Sequence, residues 1–562
     1  MNNNIPKVLL FFGFFILISK LFYLSILKSK KYKLFSQKNQ FKIMEIPGLR
    51  GRIFDRNGKI LAGWKRGYRI IPVEKNKNIY KELKKIFGEF NSRNYFIEDT
   101  SIQRLVELKT SKVSEDVLIE FTGLRFYPYA EISSHIVGYI GEINQKELKI
   151  FKNYELGDKI GKYGLEKFFE KKLKEKKGKK LILTNAYGHL IPGYSRIIKL
   201  PQKGEDIYIT IDINLQKFID SLFENYQSGA CVVYNVQNGE ILALYSKPSF
   251  NPNKLTWKLS KNEWQKLIQD TLSPLLNRAI SGLYPPGSIF KLITAGIALD
   301  NQIINKNSTF SPCKGKFLYG NKIFKCWREE GHGKLDLKQA IVQSCDIYFY
   351  QLGLKIGLKK FLKEVKKLNL TQKTGIELKD EKEGFIPDFN WYKKKYKWVS
   401  PGYVINLSIG QGEILLTPIQ IALMTARIIL DSVPKPHLLL KNFKKQYIKG
   451  IFSKDTKEFL KEAMIEVIEN PKGTGILAKI DGIKMGGKTG TAQNPKGEDH
   501  ALFTCFFPAD NPQFVVTVVV EHSGHGGNIA APLAKKIVEW LIKNNYVELT
   551  NTTFNNKFFK HN

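Results

Sequence analysis

The stretch YPPGSIFKLITAGIALD, residues 284–300, carries the pattern that decides the fold. Two prolines and a glycine end any preceding element, and apolar residues then recur at helical spacing from Ser288 onward. Ser288 is therefore predicted at a helix N-terminus, where unpaired backbone N–H groups and the helix dipole stabilise negative charge. Lys291 lies three residues later on the same face. This pair suits a serine nucleophile whose base is a neutral lysine amine.

The spacing Ser-x-x-Lys is weak evidence when it stands alone. The chain contains it four times, beginning at Ser25, Ser288, Ser311 and Ser432. Only the match at Ser288 opens an apolar helix behind Pro-Pro-Gly. Ordinary N-capping by Ser288 is the alternative interpretation.

A second motif lies in VQSCDIYFYQLG, residues 342–353. Ser344 and Asp346 are two residues apart, ahead of an aromatic-rich helical pattern. A second hydroxyl and a carboxylate can move and orient protons beside a nucleophile. The alternative is again an N-cap, since serine and aspartate both favour that position.

A third motif lies in KMGGKTGTAQ, residues 484–493, where two glycines precede Lys488, Thr489, Gly490 and Thr491 in a strand pattern. Glycine in a strand permits close backbone approach by a ligand. An ammonium group and two hydroxyls suit a carboxylate. The alternative is an edge strand that ends in a turn.

Two apolar hairpins enclose these motifs. GACVVYNVQNGEILALYS (229–246) turns at Asn-Gly, and ALFTCFFPADNPQFVVTVVVE (501–521) turns at Asp-Asn-Pro. The stretch between them is largely helical in pattern, and a further helix is expected at about 530–544. Strands at both ends with helices between them predict an α+β domain with one mixed antiparallel sheet and a helical subdomain.

Residues 45–205 show a different residue pattern, which predicts short strands separated by turns rich in glycine and arginine. The segment 48–62 reads as a hairpin around Asn-Gly, 125–141 as strand-like, and 162–180 as a basic helix. No nucleophile–base pair occurs here, so the segment is expected to be a spacer.

The N-terminus contains VLLFFGFFILISKLFYLSIL, residues 8–27, with Lys20 as its single charge. Twenty helical residues span about 30 Å, the thickness of a hydrocarbon core. No small-residue cleavage site follows, so an uncleaved anchor is predicted, with a buried core helix as the alternative. The four lysines between residues 28 and 33 weakly favour an orientation in which the large part of the chain that follows the helix lies in the cytoplasm.

The charge of the chain is unusual, because 89 Lys and Arg against 52 Asp and Glu give +37. The positive electrostatic field of such a chain favours anionic partners. The alternative is a lysine-rich composition spread over a solvated surface. The lysine runs accompany no recognisable nucleic-acid-binding fold, so no nucleic-acid partner is expected.

The three motifs occur in the order S-x-x-K, S-x-D, K-T-G, which resembles the signature of penicillin-recognising serine enzymes. The resemblance extends to class B penicillin-binding proteins. It rests on GLRGRIFDRNGKILA (48–62), RFYPYAEISSHIVGY (125–139), GKYGLEKFFE (161–170), NRAISGLYPPGSIFK (277–291), SIGQGEILLTPIQ (408–420) and KTGTAQ (488–493). CWREEGHG (326–333) is similar to the cell-elongation subgroup.

The resemblance implies a role for each motif residue. Ser288 would attack the penultimate D-Ala carbonyl of a peptidoglycan stem peptide, and Lys291 would take its proton. Ser344 would pass a proton to the leaving amine, while Asp346, where Asn is commoner in the family, would orient Lys291 or the substrate. Lys488 would tune the acidity of Ser344. The terminal carboxylate of the substrate would be held by Lys488, Thr489 and Thr491, and Gly490 would belong to the same substrate-binding strand. The oxyanion would lie between the backbone N–H groups of Ser288 and Thr491.

The resemblance also implies the organisation of the chain. It predicts a cytoplasmic stub and anchor (1–28), an elongated pedestal (29–204), a transpeptidase domain (205–545) and a flexible tail (546–562). The catalytic body would lie outside the cytoplasmic membrane, where stem peptides and β-lactams are met. A SEDS-family polymerase and a rod-complex scaffold protein would be the partners.

Other functions fit parts of the same pattern. They are a division-type class B transpeptidase, a D,D-carboxypeptidase or β-lactamase-like hydrolase, and a non-enzymatic β-lactam sensor or scaffold. The long spacer and the anchor argue against a β-lactamase.

Three of the five cysteines cluster around a histidine: Cys313, Cys326, His332 and Cys345. This Cys3His set suits structural zinc. A Cys313–Cys326 disulfide and three inert buried thiols are the alternatives. Cys231 and Cys505 lie in apolar strands and are expected to be packing residues.

Overall fold

The computed structural model describes residues 5–73, 76–88, 97–99, 101–185, 190–257, 259–441, 443–494 and 497–547. The membrane-proximal half, through residue 208, contains these elements in chain order: α1 Ile5–Phe22, α2 Ser29–Gln40, β1 Phe41–Ile46, β2 Ile53–Phe54, β3 Ile60–Pro72, α3 Lys77–Phe87, β4 Ile97–Asp99, α4 Ile102–Thr110, β5 Val117–Phe126, α5 Ala130–Val137, β6 Ile140–Glu142, α6 Gln145–Ile150, β7 Lys159–Gly161, α7 Gly164–Phe168, α8 Glu170–Leu173, β8 Gly178–Thr184, β9 Leu190–Lys199 and β10 Ile207–Tyr208.

The second half contains the catalytic motifs and the larger sheet. Its elements are α9 Ile213–Leu222, β11 Gly229–Asn235, β12 Ile241–Lys247, α10 Pro252–Trp257, α11 Lys261–Gln269, α12 Arg278–Ser281, α13 Lys291–Asp300, β13 Lys316–Tyr319, β14 Lys322–Lys325, α14 Leu337–Val342, α15 Asp346–Ile356, α16 Leu358–Lys367, α17 Phe389–Lys395, α18 Tyr403–Ser408, α19 Pro418–Ile429, β15 Ser432–Pro434, β16 Tyr447–Lys449, α20 Lys454–Glu469, β17 Gly486–Ala492, β18 His500–Phe507, β19 Phe514–Val520 and α21 Ala530–Lys543.

The N-terminal apolar segment is helical, as the sequence predicts. An α-helix over Ile5–Phe22 continues into one π-helical turn at Tyr23–Leu27. The apolar part spans Pro6–Leu27, and its side chains pack against nothing else in the structure. By length and composition this helix can cross a membrane.

The described part of the N-terminal module, residues 41–208, contains three sheets. In the largest one β3 pairs with β5 over ten residues, and β2, β4 and β10 complete it. Strands β1, β8 and β9 form the second sheet, and β6 pairs with β7 in the third.

A buried ion network ties the three N-terminal motifs together. Glu166 accepts hydrogen bonds from Arg50 and Arg125, each at 2.6 Å, and from the Tyr127 hydroxyl at 3.1 Å.

The catalytic module contains an antiparallel sheet in the order β12-β11-β19-β18-β17. Both predicted hairpins are present, β11–β12 and β18–β19, and the chain ends of the module meet where β11 pairs with β19. Alternate residues face opposite layers: Val232 and Leu502 pack towards the helical subdomain, while Cys231 and Phe503 pack beneath α21. Because both faces are covered, the two hairpins are largely apolar, whereas the edge strand β17 carries Lys488 and two threonines.

Cys231 and Cys505 are fully buried in this sheet. Burial raises the pKa of both thiols well above its ordinary value. Both are packing residues, as predicted.

Two local predictions in the N-terminal module are wrong. The segment 125–141 is a strand only to Phe126, and α5 follows, because Pro128 interrupts the strand and Glu131 lies in the first turn of the helix. The basic helix predicted over 162–180 is instead two short helices that end at Leu173, followed by β8, which begins at Gly178.

The predicted loose tail begins with packed residues. Tyr546 and Val547 contact the core beneath α21, and the Tyr546 hydroxyl donates to Asp212. The rest of this prediction, residues 548–562, lies outside the described residues.

Candidate active site

Ser288 lies in a tight turn that leads into α13. Gly287–Phe290 form one 3-10 turn, and α13 begins at Lys291 rather than at the serine. Gly287 has a φ of +54°, and a Cβ there would lie 2.5 Å from the carbonyl oxygen of Thr491. Only glycine fits this position, because both the backbone conformation and the close approach of β17 exclude a side chain. The Ser288 turn is thereby pressed against the strand that carries Thr491.

Lys291 is fully buried and points away from bulk solvent. Its Nζ donates to Asp346 Oδ1 at 2.8 Å, to the Ser344 carbonyl oxygen at 2.7 Å and to Ser344 Oγ at 3.2 Å. Burial raises the pKa of the Asp346 carboxyl, and the nearby Lys291 cation opposes that shift. Ser288 Oγ makes no hydrogen bond to another described residue, which leaves it open to the cleft.

Ser344 connects the two lysines. Its Oγ lies 3.2 Å from Lys291 Nζ and 2.9 Å from Lys488 Nζ. Its φ of +52° is uncommon for a residue with a side chain, and such strain persists where the surroundings fix it. Helix α15 starts at Asp346, and Cys345 occupies the cap position, so Ser344 is not an N-cap.

Lys488 lies on β17, the edge strand of the catalytic sheet. Its Nζ also donates to the Thr489 carbonyl oxygen at 3.1 Å. Burial, and then the neighbouring Lys291 cation, hold the pKa of Lys488 well below its ordinary value. Among the described residues β17 pairs with β18 only, so its other edge can face a ligand. The Thr489 carbonyl oxygen already accepts from Lys488, and the Thr491 carbonyl oxygen accepts from Gln411.

Gly490 lies where the Ser288 turn approaches β17. A Cβ at Gly490 would lie 2.8 Å from the carbonyl oxygen of Pro286, so a side chain there would collide with this turn. Thr489 Oγ1 lies 2.7 Å from Thr474 Oγ1, which holds that hydroxyl at the cleft wall.

Gln411 is a cleft residue that the motif analysis did not single out. Its side-chain amide donates to the Thr491 carbonyl oxygen at 2.7 Å. The neighbouring Gly410 carbonyl oxygen accepts from the Gly287 N–H at 3.0 Å. The segment SIGQG, residues 408–412, therefore braces both the nucleophile turn and β17. The sequence signal was the paired glycines in that segment.

Ser288, Ser344 and the strand β17 line one open cleft of about 530 Å³, and the buried Lys291 and Lys488 lie behind its wall. Besides the motif residues, its walls include apolar side chains and a short polar rim. The described residues that line it are Ser288, Lys325, Cys326, Trp327, Ser344, Asp346, Tyr350, Ile409, Gln411, Gly473, Thr474, Ile476, Leu477, Thr489, Gly490, Thr491, Gln493, Asp499, His525, Gly527 and Asn528.

The four predicted metal ligands converge beside this cleft. One ligand atom from each of Cys313, Cys326, His332 and Cys345 lies within 4.8 Å of the other three. His332 Nδ1 is 3.6 Å from Cys313 Sγ and 3.5 Å from Cys326 Sγ. A tetrahedral zinc site with ordinary bond lengths separates sulfur from nitrogen by about 3.6 Å. All three thiols are free in the structure.

Comparison with known proteins agrees with this geometry. Residues 229–539 match the family model for the penicillin-binding protein transpeptidase domain, and residues 45–209 match the penicillin-binding protein dimerisation domain. Peptidoglycan D,D-transpeptidase MrdA of Acinetobacter baumannii is 33% identical over 94% of this chain and 85% of its own length. MrdA of Escherichia coli is 29% identical over 95% of this chain and 93% of its own length.

Solved structures of similar proteins indicate the same family. Penicillin-binding protein 2 (PBP2) of Helicobacter pylori, in its complex with MreC, superposes with a TM-score of 0.80 at 30% identity, covering 90% of this chain and 100% of that one. A chain from a peptidoglycan synthase complex, studied for the coordination of polymerization and crosslinking, superposes with a TM-score of 0.73 at 27% identity, covering 95% and 98%. The open hydroxyl of Ser288, the two buried lysines behind it and the edge strand form one site, and this chain belongs to the penicillin-binding protein transpeptidase family, whose PBP2 members it resembles.

Proposed function

We propose that this protein is the peptidoglycan D,D-transpeptidase of cell-wall elongation, inhibited by β-lactams. The observation that carries the proposal is the hydrogen-bonded chain Lys291–Ser344–Lys488 beside the open hydroxyl of Ser288. It supplies a nucleophile, a base and a proton path in one cleft, which is what acyl transfer requires.

Substrate binding would change the protonation state of Lys291 so that this residue can act as the base. Lys291 is held by Asp346 as an ion pair, so it must lose a proton before it can accept one from Ser288. The depressed pKa of Lys488 favours its neutral form in the free enzyme. A substrate carboxylate beside Lys488 and Thr489 would raise that pKa, and Ser344 Oγ offers the path for a proton from Lys291 to Lys488.

Ser288 would then be acylated, and backbone N–H groups would stabilise the charge that forms on the substrate. The Ser288 oxygen attacks the penultimate D-Ala carbonyl, and its proton passes to Lys291. The backbone N–H groups of Ser288 and Thr491 would face the oxyanion, and loss of one such donor typically costs about 3 kcal/mol of transition-state stabilisation. The peptide bond breaks as Ser344 passes a proton to the departing D-Ala. An amine of a second stem peptide then takes the acyl group.

The covalent step is tested on the full-length protein in detergent with a fluorescent penicillin. We expect a stable adduct whose mass maps to the peptide containing Ser288, and no adduct in Ser288→Ala. Ser281→Ala is the matched control, because Ser281 lies in α12 outside the cleft lining. No added mass on the Ser288 peptide of a folded protein would refute the proposal.

The competing functions differ in what happens to the adduct. A hydrolase would release the acyl group to water quickly, and a sensor would keep it without transferring it. Transfer from a stem-peptide donor to an added amine acceptor supports the transpeptidase, whereas hydrolysis that no acceptor can divert would contradict it.

We also propose that Cys313, Cys326, His332 and Cys345 hold one structural zinc ion. His332 Nδ1 faces the thiols, and its buried Nε2 has no hydrogen-bond partner among the described residues. Since Cys345 separates Ser344 from Asp346, the metal would brace the second catalytic motif. Metal analysis should find about one zinc per chain in the native protein and much less in Cys326→Ser. A protein without metal and with a mapped Cys313–Cys326 disulfide would contradict this.

The N-terminal helix is proposed to be a single-pass anchor in the cytoplasmic membrane, with the catalytic module on the outer side, where stem peptides are found. This placement opposes the weak lysine asymmetry, because long domains cross largely regardless of flanking charge. By analogy with the two complexes above, a rod-complex scaffold protein and a SEDS-family polymerase are the proposed partners. Labelling, from outside intact cells, of a cysteine introduced at an exposed position of the catalytic module tests the orientation, because the five native cysteines are buried.

A further inference from the structure

The cleft contains a carboxylate that the proposed reaction does not use. Two acidic residues line the cleft, and Asp346 is paired with Lys291. The other, Asp499, is half-buried and forms no ion pair with a described residue. An unpaired acid at a substrate cleft is noteworthy in a chain with 89 basic and 52 acidic residues, since cations to neutralise it are plentiful.

The backbone around Asp499 is held firmly. Its carbonyl oxygen accepts from Ser523 N at 3.0 Å and from Gly524 N at 2.9 Å. Its Oδ1 accepts from Asn494 N at 3.1 Å. The second carboxylate oxygen has no donor among the described residues and remains available to a ligand.

Asp499 lies at the end of β17 towards which the donor peptide would extend beyond its reacting carbonyl group. Ala492 pairs with His500 across β17 and β18, so Asp499 lies one step beyond that pair, opposite Gln493. The terminal carboxylate of the substrate is assigned to Lys488 and Thr489, and the reacting carbonyl to Thr491. The donor peptide must therefore continue towards Gln493, which lies about 7 Å beyond Thr491 along an extended strand.

We propose that Asp499 binds the side-chain ammonium of the donor stem residue that precedes D-Ala-D-Ala, and that it selects donors with a diamino acid there. This assignment rests on the proposed function. The acceptor stem arrives where the terminal D-Ala has left, at the Lys488 end of the strand. Asp499 lies at the opposite end, so its ligand belongs to the donor.

The test compares two thioester donors on the full-length protein in detergent. Both are Nα-acetyl-L-lysyl-D-alanyl-D-thiolactate, one with a free ε-amine and one with that amine acetylated. On reaction the C–S bond breaks, the Ser288 ester forms, and the serine proton leaves with the thiol, whose release is measured. We expect the wild-type protein to prefer the free amine by about three- to tenfold, the range of a partly exposed ion pair.

The variant Asp499→Asn should lose this preference while it keeps the Oδ1 acceptor for Asn494. Glu498→Gln is the matched control, because Glu498 is an exposed neighbour outside the cleft lining and should leave the preference intact. The control Glu498→Gln should react with a fluorescent penicillin at the wild-type rate. For Asp499→Asn the measured quantity is the ratio of the two donor rates, because a general loss of reactivity would slow both donors equally.

Four results would overturn the assignment. They are equal rates of the two donors in the wild-type protein, a preference that survives in Asp499→Asn, a preference that is also lost in Glu498→Gln, and a defect confined to transfer to an amine acceptor. If the wild-type protein fails to react with penicillin, the proposed function itself fails, and this assignment fails with it.

Discussion

The buried imidazole of His135 should make the contact between the two modules sensitive to acid. His135 lies on α5 and is 4% exposed. Its Nε2 is 3.2 Å from the Pro248 carbonyl oxygen in the catalytic module, and its Nδ1 is 3.4 Å from the Tyr163 hydroxyl. A neutral ring satisfies both contacts by donating to the carbonyl and accepting from the hydroxyl.

Burial lowers the pKa of His135 from 6.5 to about 4, and the nearby Arg278 cation acts in the same direction. Above pH 6.5 the ring is neutral in both the folded and the unfolded chain, so it contributes no pH dependence. Between pH 6.5 and 4 only the unfolded chain takes up the proton, and stability falls as the pH falls. At about 1.4 kcal/mol per pKa unit the full loss is about 3 kcal/mol.

The measurement is the free energy of unfolding of the full-length protein in detergent, from urea titrations at pH 8 to pH 4. The variant His135→Gln keeps a donor and an acceptor but has no titrating group. Both proteins lose stability through their shared carboxylates, so the difference between them isolates the imidazole. The wild-type protein should lose about 3 kcal/mol more than the variant by pH 4. Parallel pH curves for the two proteins would refute the reasoning.

Two substitutions test how the structure holds its catalytic and spacer modules. Gly287→Ala should slow penicillin acylation by at least about tenfold, because the added Cβ would push the Thr491 carbonyl group away from the nucleophile turn. The circular dichroism spectrum should stay unchanged. An unchanged acylation rate would contradict this prediction, since it would show that β17 can move freely. Glu166→Gln should lower the free energy of unfolding by about 3–5 kcal/mol, since it leaves Arg125 buried without an anionic partner and Arg50 paired with Glu170 alone; a loss below about 1 kcal/mol would contradict that account.

Much of the catalytic module could be predicted from local patterns in the sequence. The hairpins β11–β12 and β18–β19 are apolar runs around strong turn signals, and α21 follows from its helical spacing. The N-terminal module was harder to predict, because its strands carry charges that lie in buried pairs rather than on the surface. Glu166 and Arg125 are polar in sequence yet belong to the core, so hydrophobic periodicity cannot detect their packing.

Local sequence could also propose the catalytic residues, but not the relation between them. Ser344 and Lys488 are far apart in the chain, and nothing near either residue predicts that their side chains meet at 2.9 Å. That contact exists because α15 and the edge strand β17 approach the same turn from different parts of the fold.

The same reasoning explains why Gln411 escaped the motif analysis. Its role is defined by the Thr491 carbonyl oxygen it holds, on a strand that comes much later in the chain. The packing of the 3-10 turn Gly287–Phe290 against β17 sets the distance between the backbone N–H groups of Ser288 and Thr491, which are proposed to face the oxyanion. A motif therefore identifies which chemical groups are present, whereas the tertiary fold determines their pKa values and their separation, and these two quantities decide whether Ser288 reacts.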